Sequence, residues 1–179
     1  FGAALTFRSD GVVRGAGAFV LTGDGPEQEN VLVPDASFHF SFSKGTSRQE
    51  YPSSIMGMVS LIRQTYYDAQ WYARSGRSEQ VNLTLQAFND ASTLPKVFEA
   101  NGGKLRVLLA DKIGDEFGER YIVKGNGDEY QRLDAISRAD VSLIIPVDFP
   151  DAYDVDDPIA ALDVSLEDLK HWELAPKNP

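Results

Sequence analysis

The stretch that decides the fold is LPKVFEANGGKLRVLLADKIGDEFGERYIVKGNGDEYQRLDAISRADVSLIIPVDFP, residues 94–150. Short apolar runs alternate in it with segments of helical periodicity. The apolar runs are continuous, which is typical of strands with both faces covered. Their alternation with helices predicts a parallel sheet with right-handed crossovers. The predicted strands lie near Val97, Ile122 and Ile144, in sequential order, and the predicted helices cover residues 102–118 and 128–140.

The chain before this stretch has the pattern of an antiparallel β segment. Residues 12–23 (VVRGAGAFVLTG) are rich in β-branched and small residues, and a polar turn separates them from residues 31–45 (VLVPDASFHFSFSKG). In the second run three phenylalanines alternate with polar residues. This period of two places the rings on one face and His39 on the other. The two runs therefore predict a hairpin or an antiparallel pair.

Two helices are predicted before the parallel part. Residues 51–76 carry a broad apolar face, with Ser53 or Ser54 as the N-cap and Gly76 as the stop, and a second helical stretch covers residues 79–89.

The last predicted helix follows Ser165, with Asp168 at its third position. We divide the chain into residues 1–93, the β-hairpin and helical insert, and residues 94–179, the βα units.

Composition excludes several classes of function. The 179 residues carry a net charge of −10, and no basic cluster offsets it, which argues against nucleic acid and anionic membranes as partners. The absence of cysteine excludes disulfides, thiolate metal sites and cysteine nucleophiles. The two histidines, His39 and His171, cannot build a histidine-rich metal site alone, and both are interpreted as structural. No apolar stretch approaches the ~20 residues that span a bilayer.

Two motifs suggest ligand loops. KGNGDEY (residues 124–130) lies between a strand and a helix, as phosphate loops do, but it lacks a third glycine and a G-K-[ST] sequence. Acidic side chains at its end would also repel phosphate. The aspartates of residues 148–157 lack the spacing and the glycine of a calcium-binding loop. We interpret the first as a strand-to-helix turn and the second as a solvated acidic rim.

Charged residues follow the three predicted parallel strands. Catalytic groups of βα barrels collect at the carboxyl ends of strands. Glu99, Lys124 and Asp148 occupy these positions and are candidate catalytic residues. The alternative is that they pair with each other or face solvent. No complete catalytic set is present in the chain.

A resemblance to known proteins rests on five segments: FSFSKGTSRQEYPSSIMGMVSLIRQTYYDAQWY, VFEANGGKLRVLLADKIGDEFG, YIVKGNGDEYQRLDAI, LIIPVDFPDAYDVDDP and LKHWELAPKNP. They resemble the N-terminal half of large amidohydrolase-superfamily proteins, in the imidazolonepropionase-like branch and its long, exported bacterial form. The resemblance implies an α/β fold, a partial (β/α)₈ barrel of about three parallel βα units preceded by an antiparallel β segment and helices.

The resemblance also implies a metal-dependent hydrolase. Such enzymes use one or two divalent metals, here most simply zinc, to attack C–N bonds, often in cyclic amides. The His-x-His of the family's first metal strand does not occur here, and its later ligands belong to strands that would follow Pro179. In many relatives the middle strands contribute a histidine, a glutamate or a carboxylated lysine, which makes Glu99 and Lys124 candidate metal ligands.

Two functions remain open. The first is a segment of an amidohydrolase, inactive in isolation and without a tightly bound metal, whose partners are the rest of its parent chain and a small amide. The second is a non-catalytic α/β module, derived from such a barrel, that binds a ligand or a partner. The resemblance implies a periplasmic or secreted location. Because three βα units cannot close a barrel, we expect either the N-terminal β segment to cover the sheet or a homodimer to form through its exposed edges.

Overall fold

The computed structural model describes residues 2–75, 81–103, 105–139, 141–146, 156–162 and 164–174. Six strands form one sheet there, in the order of the chain. The strands are β1 (Gly2–Thr6), β2 (Val13–Thr22), β3 (Val31–Ser41), β4 (Lys96–Glu99), β5 (Tyr121–Lys124) and β6 (Ser142–Ile144). The helices are α1 (Glu27–Asn30), α2 (Ile55–Arg74), α3 (Leu83–Asp90), α4 (Arg106–Phe117), α5 (Leu133–Ile136), α6 (Pro158–Leu162) and α7 (Leu166–Leu174).

The sheet is mixed, and β3 is where its two parts meet. β1, β2 and β3 pair antiparallel, whereas β3, β4, β5 and β6 pair parallel. Val97 lies opposite Ile122, and Lys124 lies opposite Ile144, so the three predicted parallel strands and their sequential order are confirmed. The structure adds a fourth, because the second half of β3 pairs with β4. The sheet therefore runs across residue 94, the boundary between the two segments defined above.

One face of the sheet carries the core. Phe38, Phe40 and Phe42 are buried and belong to the same cluster as Phe98 and Tyr121. Helices α2, α3 and α4 cover this face, which we call the helix face, and fill the cluster with aliphatic and aromatic side chains. The Phe40 ring stacks against two rings, those of a tyrosine in α2 and a phenylalanine in β4. The predicted alternation of rings and polar residues along β3 is confirmed.

Helix boundaries follow the predicted caps closely at one end. Ser54 is the N-cap of α2, where its side chain accepts a hydrogen bond from the Gly57 amide. Helix α2 ends at Arg74, and the predicted stop at Gly76 lies outside the described residues. Helix α3 begins at Leu83 after its N-cap Asn82, later than predicted, because that asparagine side chain accepts from two amides of the first turn.

The capping pair at the start of α7 forms as predicted. Ser165 Oγ accepts a hydrogen bond from the Asp168 amide, and the Asp168 carboxylate accepts from Ser165.

The single helix predicted over residues 128–140 is wrong. The structure has a 3₁₀ turn over Glu129–Arg132 and then the one-turn helix α5. The reason is local, since the Glu129 side chain turns back to bind the loop before it. Among the described residues, no helix is both long enough and apolar enough to cross a membrane.

Candidate functional site

The face opposite the helices is polar at the carboxyl ends of the parallel strands, and we call it the polar face. Ser41 of β3 lies in register with Glu99 of β4, and Glu99 lies in register with Lys124 of β5. Residues in register on neighbouring strands point to the same side of a sheet. The strands therefore bring two of the three predicted site residues, Glu99 and Lys124, side by side.

Glu99 is the centre of this row. Its Oε2 accepts a hydrogen bond from Arg14 Nη1 at 2.6 Å and another from Ser41 Oγ at 3.3 Å. Its Oε1 accepts from Lys124 Nζ at 3.0 Å. The side chain of Arg14 is 4% exposed and that of Glu99 13%, whereas that of Lys124 is 49% exposed. The carboxylate is thus held from the buried side by Arg14 and meets Lys124 at the open side; we call these three residues the charged row.

Arg14 is the member of the charged row that the sequence analysis missed. It comes from β2, and its Nε also donates to the Gly11 carbonyl at 3.2 Å. Its guanidinium lies 5.8 Å from the centre of the Phe7 ring, within cation–π range. A signal was present, because an arginine inside a run of small and apolar strand residues needs a buried partner.

The electrostatics of the charged row keep Glu99 ionised. Burial by itself raises the pKa of Glu99, but the hydrogen bonds and charges of Lys124 and Arg14 outweigh it, and the pKa lies below its usual value. A carboxylate with a low pKa is a poor general base near neutral pH, because efficient proton transfer requires a pKa close to the working pH. Glu99 is therefore suited to orient and stabilise charged groups rather than to carry protons.

His39 lies on the same face but is enclosed. Its ring is 1% exposed, stacks on Phe7 at 4.0 Å between centroids, and shares a 2.7 Å hydrogen bond between Nε2 and Ser37 Oγ. Burial, and then the charge of Arg14, lower the pKa of His39 to about 4, while Glu99 acts in the opposite direction. His39 is neutral near pH 7 and has a structural environment, as predicted.

The KGNGDEY loop is closed on a side chain of its own. Glu129 is buried, and its two carboxylate oxygens accept hydrogen bonds from the amides of Asn126 at 2.7 Å and Gly127 at 2.9 Å. The Gly125 amide donates to the carbonyl of Ile144 in β6. These are the amides that a phosphate would need, so the loop is a structural turn, as predicted.

Asp148, the third predicted site residue, lies outside the described residues, as do the other aspartates of the rim apart from Asp156 and Asp157. Asp157 accepts a hydrogen bond from the Ile159 amide at the start of α6. Within the described ranges, no group of three or more His, Cys, Asp or Glu side chains is placed to hold a metal ion.

The parallel strands, with helices on one face and charged groups at their carboxyl ends, have the arrangement of a partial (β/α)₈ barrel. The crystal structure of an amidohydrolase from Thermotoga maritima MSB8 matches this chain with a TM-score of 0.67 and 15% sequence identity. The match covers 93% of this chain and 44% of that one, so the chain spans less than half the length of that protein. The fold is therefore amidohydrolase-like. No protein-family model matches the sequence, and no curated protein matches it.

Proposed function

We propose that this chain is part of a hydrolase that cleaves the C–N bonds of amides, of the imidazolonepropionase-like kind, and that the charged row forms one side of its active site. The observation that carries the proposal is the meeting of Arg14, Glu99 and Lys124, from three strands, at the carboxyl edge of the parallel sheet. In a barrel the helices form the outer ring, so the polar face would line the interior. Catalytic groups of barrels gather at this end.

Within that site the residues of the charged row have different roles. Glu99 is a fixed negative charge, because two cations hold its carboxylate. In the ion pair between Glu99 and Lys124, it is Lys124 that solvent reaches. The ammonium of Lys124 is therefore the part of the charged row that a substrate would meet. Preorganised charges of this kind stabilise charge that develops in a transition state. The proton-transfer steps require other residues.

A divalent metal is what the fold family implies, and the described residues do not fit one. A catalytic zinc takes about three protein ligands, whereas Glu99 binds two cationic side chains and His39 is enclosed. For Glu99 or Lys124 to bind a metal, the ion pair between them would have to open. We therefore propose that any metal is held by residues outside the described ranges, and we derive no step through it.

A second function has a specific observation in its favour. Both oxygens of Glu99 are satisfied by Arg14, Ser41 and Lys124, which is also the pattern of a stable structural cluster. A non-catalytic module that binds a ligand or partner at its polar face would keep such a cluster. Whether the protein hydrolyses an amide distinguishes this function from the first.

The test uses the product of the complete gene, expressed with zinc and assayed against cyclic and open-chain amides. We expect hydrolysis, and we expect Glu99→Gln to lower kcat/KM by about 100-fold, the scale of losing a preorganised electrostatic partner. The matched control is Glu116→Gln, which breaks the Arg63–Glu116 pair on the surface of the helices and should leave kcat/KM within about twofold. A folded, zinc-loaded protein that binds amides but hydrolyses none would support the second function.

The 179-residue chain on its own provides a further test. We expect it to hydrolyse no amide and to retain no stoichiometric zinc after chelation and reloading. One tightly held zinc per chain together with amidase activity would contradict the assignment of this chain as an incomplete site.

A further inference from the structure

β2 contains a bulge at Arg14, whose side chain lies on the polar face beside Glu99. Val13 lies opposite Phe40, and Gly15 lies opposite His39, so Arg14 is an extra residue in the ladder between β2 and β3. Gly15 has φ of +85°, which a β-bulge commonly needs and glycine adopts easily. Without the extra residue, regular alternation would place residue 14 opposite His39, still on the polar face, and would shift only the residues that follow it to the other face.

The contacts of Arg14 fix one oxygen of Glu99 and leave the other for Lys124. Arg14 Nη1 and Ser41 Oγ both donate to Oε2, while Lys124 donates to Oε1. Because Arg14 is anchored to the Gly11 carbonyl and beside the Phe7 ring, its guanidinium has little freedom to follow the carboxylate. The orientation of Glu99 is therefore set from β2, outside the parallel strands.

The charges of the charged row determine how many donors of Lys124 remain free. Arg14 and Lys124 are two cations facing one carboxylate, and only Lys124 is substantially exposed. If Arg14 were neutral, Glu99 would be free to turn both oxygens to Lys124 and pair with it fully. With Arg14 present, the Lys124 ammonium keeps donor capacity at the open edge, since it has three donors and one is used on Oε1.

We propose that Arg14 is a positioning residue, which orients the Glu99 carboxylate so that Lys124 presents its free donors to the substrate. That Lys124 meets a substrate rests on the proposed function. The role of Arg14 goes beyond that function, because it makes the N-terminal hairpin part of the site. Arg14 itself touches no reacting atom. A merely structural role, anchoring the hairpin to β4, would change stability without changing the turnover of folded protein.

The test compares Arg14→Gln, Arg14→Lys and, as a control, Arg63→Gln, which removes the arginine of a more exposed pair. In a crystal structure of Arg14→Gln we expect the Glu99 carboxylate to rotate away from Ser41 and to chelate Lys124. In the complete enzyme we expect kcat to fall about tenfold or more with KM within about twofold, the pattern of an interaction that acts in the transition state. Arg14→Lys, which keeps a cation but loses the planar fork, should recover part of that loss.

Each outcome decides something. A Glu99 side chain that keeps its orientation in Arg14→Gln, or a kcat that does not change, overturns the inference. If Arg14→Gln does not fold, Arg14→Lys carries the same two measurements, and wild-type kcat together with an unmoved Glu99 in that variant overturns it equally. If the wild-type protein hydrolyses none of the amides, the proposed function fails, and the Glu99 orientation in the crystal structures alone decides the role of Arg14.

Discussion

Acidification is the perturbation that probes the polar face most directly, because His39 is buried beside Arg14. The pKa of His39 is lowered from 6.5 to about 4 in the folded chain. A histidine whose pKa is depressed by folding favours the neutral form in the native state. Its contribution to stability is therefore present above pH 6.5 and is lost as the pH falls toward 4.

The size of the effect follows from the shift. One pKa unit corresponds to about 1.4 kcal/mol, so a depression of about 2.5 units corresponds to roughly 3 kcal/mol of unfolding free energy lost between pH 6.5 and pH 4. About 2 kcal/mol of this is lost by pH 5. Burial is the largest cause of the lowered pKa; of the charged groups nearby, Arg14 disfavours the imidazolium and Glu99 favours it.

The assay is urea denaturation at several pH values for wild type and for His39→Gln. Glutamine can keep the hydrogen bond to Ser37 but does not titrate near neutral pH. From pH 7.5 to pH 5, the wild type should lose about 2 kcal/mol more of its unfolding free energy than His39→Gln does. The imidazole titration by NMR gives the second measurement, with His171→Gln assigning the two histidine signals.

Two results would refute the reasoning. One is a His39 imidazole that titrates near 6.5 in the folded protein. The other is a stability difference between wild type and His39→Gln that does not change with pH.

Three other predictions concern the turn after β5, the core and the sheet edge. Glu129→Ala should lower the free energy of unfolding by about 2–3 kcal/mol, because it removes a buried carboxylate that accepts two backbone hydrogen bonds. Added acetate should raise the Tm of this variant more than that of wild type. The control Glu116→Ala, at a partly exposed ion pair, should lower the free energy of unfolding by less than about 1 kcal/mol. Tyr66→Phe should cost about 1–2 kcal/mol, since it leaves the Tyr121 hydroxyl without its buried 2.8 Å partner, and the double phenylalanine variant should cost less than the sum of the single ones. Light scattering should show concentration-dependent self-association through the edge at β6, which Ile145→Lys should abolish, because Ile145 is 63% exposed beside that strand.

These expectations can each fail separately. An acetate effect equal in wild type and Glu129→Ala would mean that the turn does not hold a carboxylate. Additive costs for Tyr66→Phe and Tyr121→Phe would show that the two hydroxyls do not interact. A wild-type chain that stays monomeric up to high concentration would exclude the edge at β6 as an association surface.

The parallel strands and the N-cap of α2 were predictable because their signals are local. A continuous apolar run identifies the strand at Val97, and Ser54 caps the helix that starts one residue later. The turn nature of KGNGDEY was predictable from the missing third glycine. The helix break at Glu129 was not, because helical propensity says nothing of a side chain that turns back to bind amides.

The charged row shows where sequence reasoning stops. Glu99 and Lys124 were identified because both follow apolar strands, and their pairing follows from strand order. Arg14 is 85 residues from Glu99 along the chain, and it lies at a one-residue bulge of β2, a strand whose register shifts again between Gly17 and Val20. Nothing in the periodicity of residues 12–23 specifies that bulge, although the glycine after Arg14 allows it.

The double pairing of β3 has a consequence for hydrogen exchange. From Phe38 to Phe42, at the end of β3 and just after it, the amides have partners on the two sides: Ser41 donates to the Val12 carbonyl, whereas Phe42 donates to the carbonyl of Glu99 and Phe38 to that of Pro95. An opening that frees all of these amides must break the antiparallel and the parallel ladders together, and a sub-global opening that spares one ladder leaves the amides of that ladder protected. We expect these amides to exchange all together only through global unfolding, whereas an opening of the antiparallel ladder alone would free Ser41. A protease cut between the hairpin and the βα units would therefore leave the two pieces associated until the whole sheet melts.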